Sequence, residues 1–246
     1  MSKLYIINQS VGPYYRDIIS KVNQSGLFDQ ICLITGTQDT ALLADIQDYG
    51  VEILFACKYR NSNVFIRLFS WSLFTIQVVY YVLKNRIAFR KVEALWIFSS
   101  NPPVLSPIFS FFKIHLFIKY QYLILDIYPE VLLTSGTLHS KSVFYKIWKT
   151  LDESFVKNAQ KVITLDEAMR KRLKDLYPFL HGHKTPKILP LSVGICKMQR
   201  VPRINNPIAI ELNYGFDDLV IGYAGNAGLG HDFTLIMSPD SELGNS

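Results

Sequence analysis

Short apolar runs that recur along the chain, each followed by residues at helical spacing, constrain the fold more than any other feature. Leu4-Tyr5-Ile6-Ile7-Asn8 has strand length and leads through Gln9-Ser10-Val11-Gly12-Pro13 into a stretch with Ile18, Ile19 and Val22 on one side. Ile31-Cys32-Leu33-Ile34-Thr35 follows, so strand, helix and strand fit one βαβ unit. Residues 41–49 read as a further helix, and Val51-Glu52-Ile53-Leu54-Phe55 as a third strand. Ala94-Leu95-Trp96-Ile97-Phe98, Tyr122-Leu123-Ile124-Leu125 and Lys161-Val162-Ile163-Thr164-Leu165 repeat the strand pattern. Runs this uniformly apolar need cover on both faces, so the sequence predicts an α/β, Rossmann-like, doubly wound parallel sheet. The first run stops at polar residues rather than at a small-residue cleavage site, and reads as a buried strand, not a secretion signal.

Composition narrows the class. The 246 residues are 49% hydrophobic and 19% charged, which excludes a disordered polymer. A net charge of +6 fits a phosphate ligand, an acidic membrane surface or nucleic acid equally well. Cys32, Cys57 and Cys196 are too few and too scattered for a disulfide framework or a thiolate zinc site, so a reducing cytoplasm is the expected compartment.

Four helical stretches carry the next information. Residues 64–83 are aromatic-rich, with Arg67 their one charge. On a helical wheel Asn63, Arg67, Ser70, Gln77, Tyr81 and Lys84 gather on one side, opposite Phe65, Leu68, Trp71, Ile76, Val79 and Leu83. A buried amphipathic helix is the first reading, an interfacial membrane helix the second and a span the third. Residues 104–118 mix four Phe with Lys113 and His115, which suits either a covering helix or an anionic headgroup layer. Phe144, Ile147, Trp148, Leu151 and Phe155 predict a core-facing helix over 143–156, opposite Lys146, Lys149 and Glu153. Asp166 is placed to cap a helix through Met169, Leu173 and Leu176, whose Arg and Lys residues read as a solvated face.

The Pro- and Gly-rich stretch 178–207 reads as a linker or crossover. Leu219-Val220-Ile221-Gly222-Tyr223 then opens a new strand, with a helix expected over residues 231–237. The expected organisation is a domain over 1–190, a linker over 191–218 and the start of a second domain over 219–246.

The sequence lacks GxGxxG after the first strand, GxxxxGK[ST], GxSxG, HExxH and Asp-x-Asp, and His181 and His183 have no carboxylate or thiolate company, so no metal or cofactor is expected. Two patterns remain. Leu125-Asp126-Ile127-Tyr128-Pro129-Glu130 puts carboxylates at the carboxyl end of a strand, where open α/β sheets bind ligands. Asp126 is a site candidate there, with a capping or salt-bridged carboxylate as the equal alternative. Gly225-Asn226-Ala227-Gly228 lies between a strand and a helix, so its backbone N–H groups could meet a diphosphate. The first-strand loop adds Gly12, Tyr14 and Arg16 as candidate substrate contacts.

Together these motifs resemble the family 4 glycosyltransferases, retaining enzymes built from two Rossmann-like domains in the GT-B fold. The chain is similar to the colanic-acid and O-antigen branch, whose Asp-Leu-Tyr-Pro-Glu-Val type motif matches residues 126–131. Val162-Ile163-Thr164-Leu165-Asp166-Glu167 resembles the next strand and helix, and Tyr223-Ala224-Gly225-Asn226-Ala227-Gly228 resembles the start of the C-terminal domain. The resemblance implies sugar transfer from a nucleotide-diphosphate sugar to a lipid-linked or glycan acceptor in bacterial surface polysaccharide synthesis. Asp126 would orient or deprotonate the acceptor hydroxyl, with Glu130 in support, and Gly225, Asn226 and Gly228 would meet the donor. It also implies peripheral contact with the inner face of the cell membrane and no nucleic-acid partner.

Departures accompany the match. The first-strand loop offers Gly12-Pro13 where the family has paired glycines, and Pro190-Leu191-Ser192-Val193-Gly194 lacks the family's Asn. None of the seven glutamates are eight positions apart, so the family's Glu-x7-Glu pair is missing. The expectation is an acceptor lobe with a truncated donor lobe and little activity of its own. A non-catalytic membrane- or partner-binding module is the alternative, and a small integral membrane protein the last.

Overall fold

The computed structural model describes residues 2–60, 62–91, 93–190, 200–220 and 222, without the side chains of 86–91. Two compact units are present, Met1–Val193 and Gly194–Ser246.

In the first unit seven strands form one parallel sheet: β1 (Ser2–Ile7), β2 (Gln30–Thr35), β3 (Glu52–Phe55), β4 (Glu93–Ser99), β5 (Lys119–Ile124), β6 (Lys161–Thr164) and β7 (Lys187–Ile188). Their spatial order is β3-β2-β1-β4-β5-β6-β7. The chain therefore winds outward from β1 to β3, returns across the sheet, and winds outward again from β4. Ile7 is in register with Ile34 on one side and Phe98 on the other, so β1 is an interior strand, and the strand order reverses between β1 and the central β4. This is the doubly wound Rossmann-like architecture expected from the alternating runs.

Period-two alternation sends neighbouring strand residues to opposite faces. Leu4, Ile6, Ile31 and Leu33 pack under α1 (Pro13–Gln24) and α2 (Thr40–Gln47). Tyr5, Ile7, Trp96, Phe98, Tyr120 and Tyr122 pack on the other face. That face is covered by α3 (Val64–Lys91), α4 (Leu105–Phe111), α6 (Val143–Asn158) and α7 (Glu167–Leu176), with the short α5 (Glu130–Thr134) at the end of β5. Phe155 is the hub of the second face: Phe98, Tyr120 and Tyr122 lie 5.6, 4.5 and 5.0 Å from its ring centroid. As expected, Asp166 caps α7 by accepting from the Met169 N–H at 2.7 Å.

Four expectations are corrected. Residues 178–207 are not all linker: 3-10 turns at Pro178–Leu180 and Gly182–Lys184 lead into β7, which pairs with β6. Residues 104–118 are not one helix, because Lys113 takes φ 54° and divides α4 from a 3-10 turn at Ile114–Phe117. In α6 the buried stripe is rotated to Tyr145, Trp148, Asp152, Phe155 and Val156, while Phe144 and Ile147 are exposed. The cause is polar: Asp152 accepts from Ser106 Oγ (2.5 Å) and Tyr177 Oη (2.9 Å), and those bonds fix which side of α6 points inward.

The fourth correction concerns α3. Its inward side is Ser70, Phe74, Thr75, Val78 and Val82, whereas Phe65, Phe69, Ile76 and Tyr80 point outward. Two polar residues of α3, the buried Ser70 and the exposed Gln77, bond to the chain around it. Gln77 Oε1 accepts from the Cys57 N–H at 2.7 Å, Ser70 Oγ from the Arg60 N–H at 3.4 Å, and the Ser70 carbonyl from Gln9 Nε2 at 2.9 Å. Satisfying backbone groups of the loop after β3 thus overrides the apolar stripe.

In the second unit a 3-10 turn at Arg203–Asn205 precedes α8 (Pro207–Glu211), which Asn206 caps. The Arg203 guanidinium donates to the carbonyls of Gly215, Phe216 and Asp218.

Candidate functional site

Ligands of open α/β sheets bind at the carboxyl edge beside the point of strand-order reversal, here between β1 and β4. Both strands end there in polar residues. Asn8 Oδ1 accepts from the Ser10 N–H (2.8 Å) and from Asn101 Nδ2 (3.2 Å), while Ser99 Oγ donates to the Ile7 carbonyl (3.1 Å), tying the two strand ends together. Tyr15 from α1 packs against Ser99 and Asn8, and burial pushes its phenol up to about 12. Gln9 Oε1 and Thr164 Oγ1 are buried with no hydrogen-bond partner among the described residues. Such orphaned atoms are uncommon in native interiors, and a polar ligand at this edge is one way to satisfy them.

Asp126 lies immediately beyond β5 on the same edge, its N–H and that of Leu125 both donating to Ser100 Oγ at 3.0 Å. The residue is exposed at the rim, yet desolvation by its surroundings raises its carboxyl above the ordinary carboxylate range. Next to it Tyr128 is pushed up to about 12, chiefly by burial and further by the Asp126 charge, while Arg67 pulls it down. Arg67 therefore reaches this edge from the first turn of α3. Its Cζ stands 5.5 Å from the Trp71 ring centroid, and Tyr59 stacks on the other member of that pair at 6.4 Å and 13°. Tyr128 stacks on Trp148 at 6.2 Å and 11°. Flat aromatic faces, an arginine and a carboxylate of raised basicity can hold a polyhydroxylated ring and accept a proton from one of its hydroxyls.

Glu130 is buried at the start of α5. Its Oε1 accepts from Tyr145 Oη (3.1 Å) and faces Lys149 Nζ (3.8 Å), and its Oε2 has no hydrogen-bond partner among the described residues. The structure thus brings Asp126 and Glu130 to one strand end, Asp126 on the rim and Glu130 beneath it. Gly12 is the N-cap of α1, with nothing within 4 Å of where a Cβ would stand. Tyr14 is buried and donates to the Leu189 carbonyl at 3.1 Å, so its hydroxyl braces the chain beyond β7. Arg16 is held by Asp17 (3.3 Å) and Asp45 (3.2 Å) at the α1–α2 contact. Gly225, Asn226 and Gly228 lie outside the described residues. Among the described residues no group of three His, Cys, Asp or Glu side chains is arranged for a metal ion.

Sequence reasoning missed Tyr59, Arg67, Trp71 and Trp148 as neighbours of this site. The available signal was Arg67, a single charge in an otherwise apolar helix.

No family model matches the sequence, and no curated protein is similar to it. Among solved structures, the chain is similar to a UDP-glucosyltransferase of Polygonum tinctorium capable of glucosylating indoxyl, with 9% identity and a TM-score of 0.48 over 87% of this chain and 57% of that one. It is also similar to Medicago truncatula UGT71G1 complexed with UDP-glucose, with 10% identity and a TM-score of 0.43 over 86% and 56% of the two chains. A third, apo UGT2 of Phytolacca americana, has 8% identity and a TM-score of 0.43 over 77% and 51%. The chain spans about half the length of these structures.

Proposed function

We propose that this chain carries the acceptor-binding lobe of a glycosyltransferase of GT-B architecture. One observation carries the reading: Asp126, a carboxylate of raised basicity, stands at the carboxyl edge of a doubly wound sheet beside Tyr128, whose ring is backed by the buried Trp148. An acceptor sugar laid on the half-buried Tyr128 ring would present a hydroxyl to Asp126, which orients or deprotonates it; the new bond from the acceptor oxygen to the donor carbon forms on the face from which that carbon's bond to the diphosphate breaks. Glu130, paired with Tyr145 and Lys149, holds the strand end in place beneath. The donor is a nucleotide-diphosphate sugar, whose departing diphosphate needs positive or dipolar stabilisation, and Gly225, Asn226 and Gly228 are the residues assigned to it by resemblance. In the finer form of the proposal, residues 1–190 hold the acceptor, 191–218 link, and 219–246 open the donor domain. Transfer retains anomeric configuration, the acceptor is lipid-linked, and the setting is cytoplasmic polysaccharide synthesis.

The test is saturation-transfer NMR on the lipid-free 246-residue chain with a panel of methyl glycosides of common hexoses. Contact with at least one glycoside, weakened about tenfold or more by Asp126→Asn while circular dichroism is unchanged, is the expected result. No contact with any glycoside, or contact indifferent to Asp126→Asn, overturns it. The second reading, a non-catalytic membrane- or partner-binding module, is favoured by the outward apolar side of α3 and predicts surface binding without glycoside contact.

A further inference from the structure

The outward side of α3 is a feature the proposed site does not use. Phe65 is 84% exposed, Phe69 67%, Ile76 57% and Tyr80 64%. Residues Val64–Asn85 are long and apolar enough to cross a membrane, yet only 28% of that window is buried. A second apolar group, Phe111, Phe112, Leu116 and Phe117, projects from the end of α4 and the 3-10 turn after it. These two groups belong to one layer: α3 packs against α4 on the same sheet face, and the turn continues directly from α4. The end of α3 that feeds β4 and the turn that feeds β5 both lie at the amino edge of the sheet, opposite the candidate site.

Topology excludes a span. β3 before α3 and β4 after it belong to one parallel sheet, so both ends of the helix are fixed on the same body. The inner side of α3, with Phe74, Val78 and Val82, is already committed to the core. A helix held in this way can lie on a bilayer but not pass through it.

Charge identifies the surface that would cover it. Residues 62–91, which contain α3, and residues 105–119, which contain α4 and the turn, include no Asp or Glu, so no acid of these segments offsets their lysines. Lys84 on α3, Lys113 at the break and Lys119 at the start of β5 are exposed beside the apolar residues. Aromatic side chains fringed by cations are suited to the headgroup layer of an anionic bilayer, where the rings enter the acyl boundary and the ammonium groups meet lipid phosphates. A second protein copy would bring the same positive charge to the contact, and repulsion disfavours it.

The turn is built to present its rings. His115 is buried between α4 and α6, its Nδ1 at 3.2 Å from the Phe109 carbonyl and its Nε2 at 3.4 Å from Ser154 Oγ. Ile114 is buried as well, so Leu116 and Phe117 are held outward by an anchored turn.

We infer that α3 and the turn Ile114–Phe117 form one docking face that rests on the surface of an anionic membrane. This extends the lipid-linked acceptor reading: it places the sheet body on the bilayer from which such an acceptor would be taken.

The experiment is co-sedimentation of the full 246-residue chain with vesicles of phosphatidylcholine alone or mixed with phosphatidylglycerol. Expected are binding to the mixed vesicles at least about tenfold tighter than to phosphatidylcholine alone, and weakening by salt. Replacing Lys113→Asn and Lys119→Thr together should cost about 25-fold, at about fivefold per charge. Phe112→Ser with Phe117→Ser should cost about tenfold or more on both lipids. All four side chains are exposed, so circular dichroism should be unchanged. Absence of binding, equal binding to both lipids, variants that bind like wild type, or retention in the membrane after carbonate washing overturns the inference. So does sedimentation velocity showing a dimer that covers this face and does not bind vesicles. Glycoside contact is measured without lipid, so its failure would sink the sugar-transfer reading and leave the docking result standing.

Discussion

Replacing Asp152 by Asn tests whether a buried charge is set by desolvation or by its hydrogen bonds. Asp152 is 4% exposed, on the inner side of α6, between Ser106 of α4 and Tyr177 beyond α7. Burial pushes its carboxyl up to about 6; the two hydroxyl donors pull it down and the Glu130 charge adds to the rise. In the unfolded chain the same carboxyl titrates near about 3.9. Between those values the native protein holds a proton that the unfolded chain has released. The native state therefore binds more protons, and Asp152 lowers stability as pH rises through the window, with the loss complete above about pH 6. A gap of about two pH units corresponds to about 3 kcal/mol.

Asn is neutral at every pH and nearly isosteric, and the Ser106 and Tyr177 hydroxyls can turn to suit an amide. The Asp152→Asn variant should be within about 1 kcal/mol of wild type at about pH 4. At about pH 7 it should be more stable than wild type by about 2–3 kcal/mol. Urea unfolding followed by circular dichroism across this range measures the difference, and titrating groups that do not interact with Asp152 cancel because both proteins contain them. A difference that stays constant with pH would refute the argument, as would wild type gaining on the variant as pH rises. In either case the hydroxyl donors, not desolvation, would control the charge.

Two further predictions concern stability. Phe155→Ala removes the ring around which Phe98, Tyr120 and Tyr122 pack and should cost about 3–5 kcal/mol in urea unfolding; a loss under about 1 kcal/mol would show that the cluster does not depend on it. Gly36→Ala would place a Cβ 2.3 Å from the Cys57 carbonyl oxygen, a backbone atom held by the loop after β3, and should lower the melting temperature by several degrees, about 2–4 °C for each kcal/mol lost. An unchanged melting temperature would mean that this loop gives way freely.

Asp126 could be placed at a strand's carboxyl end because an apolar run of strand length stops beside it. Its aromatic neighbours could not, since Tyr59, Trp71 and Trp148 come from three separate segments, and no local pattern indicates that they will stand at one edge.

Period and apolarity were sufficient to determine the α/β class and the position of the core strands, because a strand buried on both faces must be apolar along its length and a covering helix must repeat at its own pitch. The orientation of each helix was decided only by the tertiary structure. In α6 the buried Asp152 meets Ser106 and Tyr177, and in α3 Ser70 and Gln77 satisfy the loop after β3, so polar partners distant in sequence turned both helices away from the direction their apolar stripes indicated. A hydrophobic pattern records what a helix can bury, whereas a polar group on that helix, such as the buried Asp152 carboxylate, needs partners distant in sequence, and those partners exist only once the sheet has brought them together.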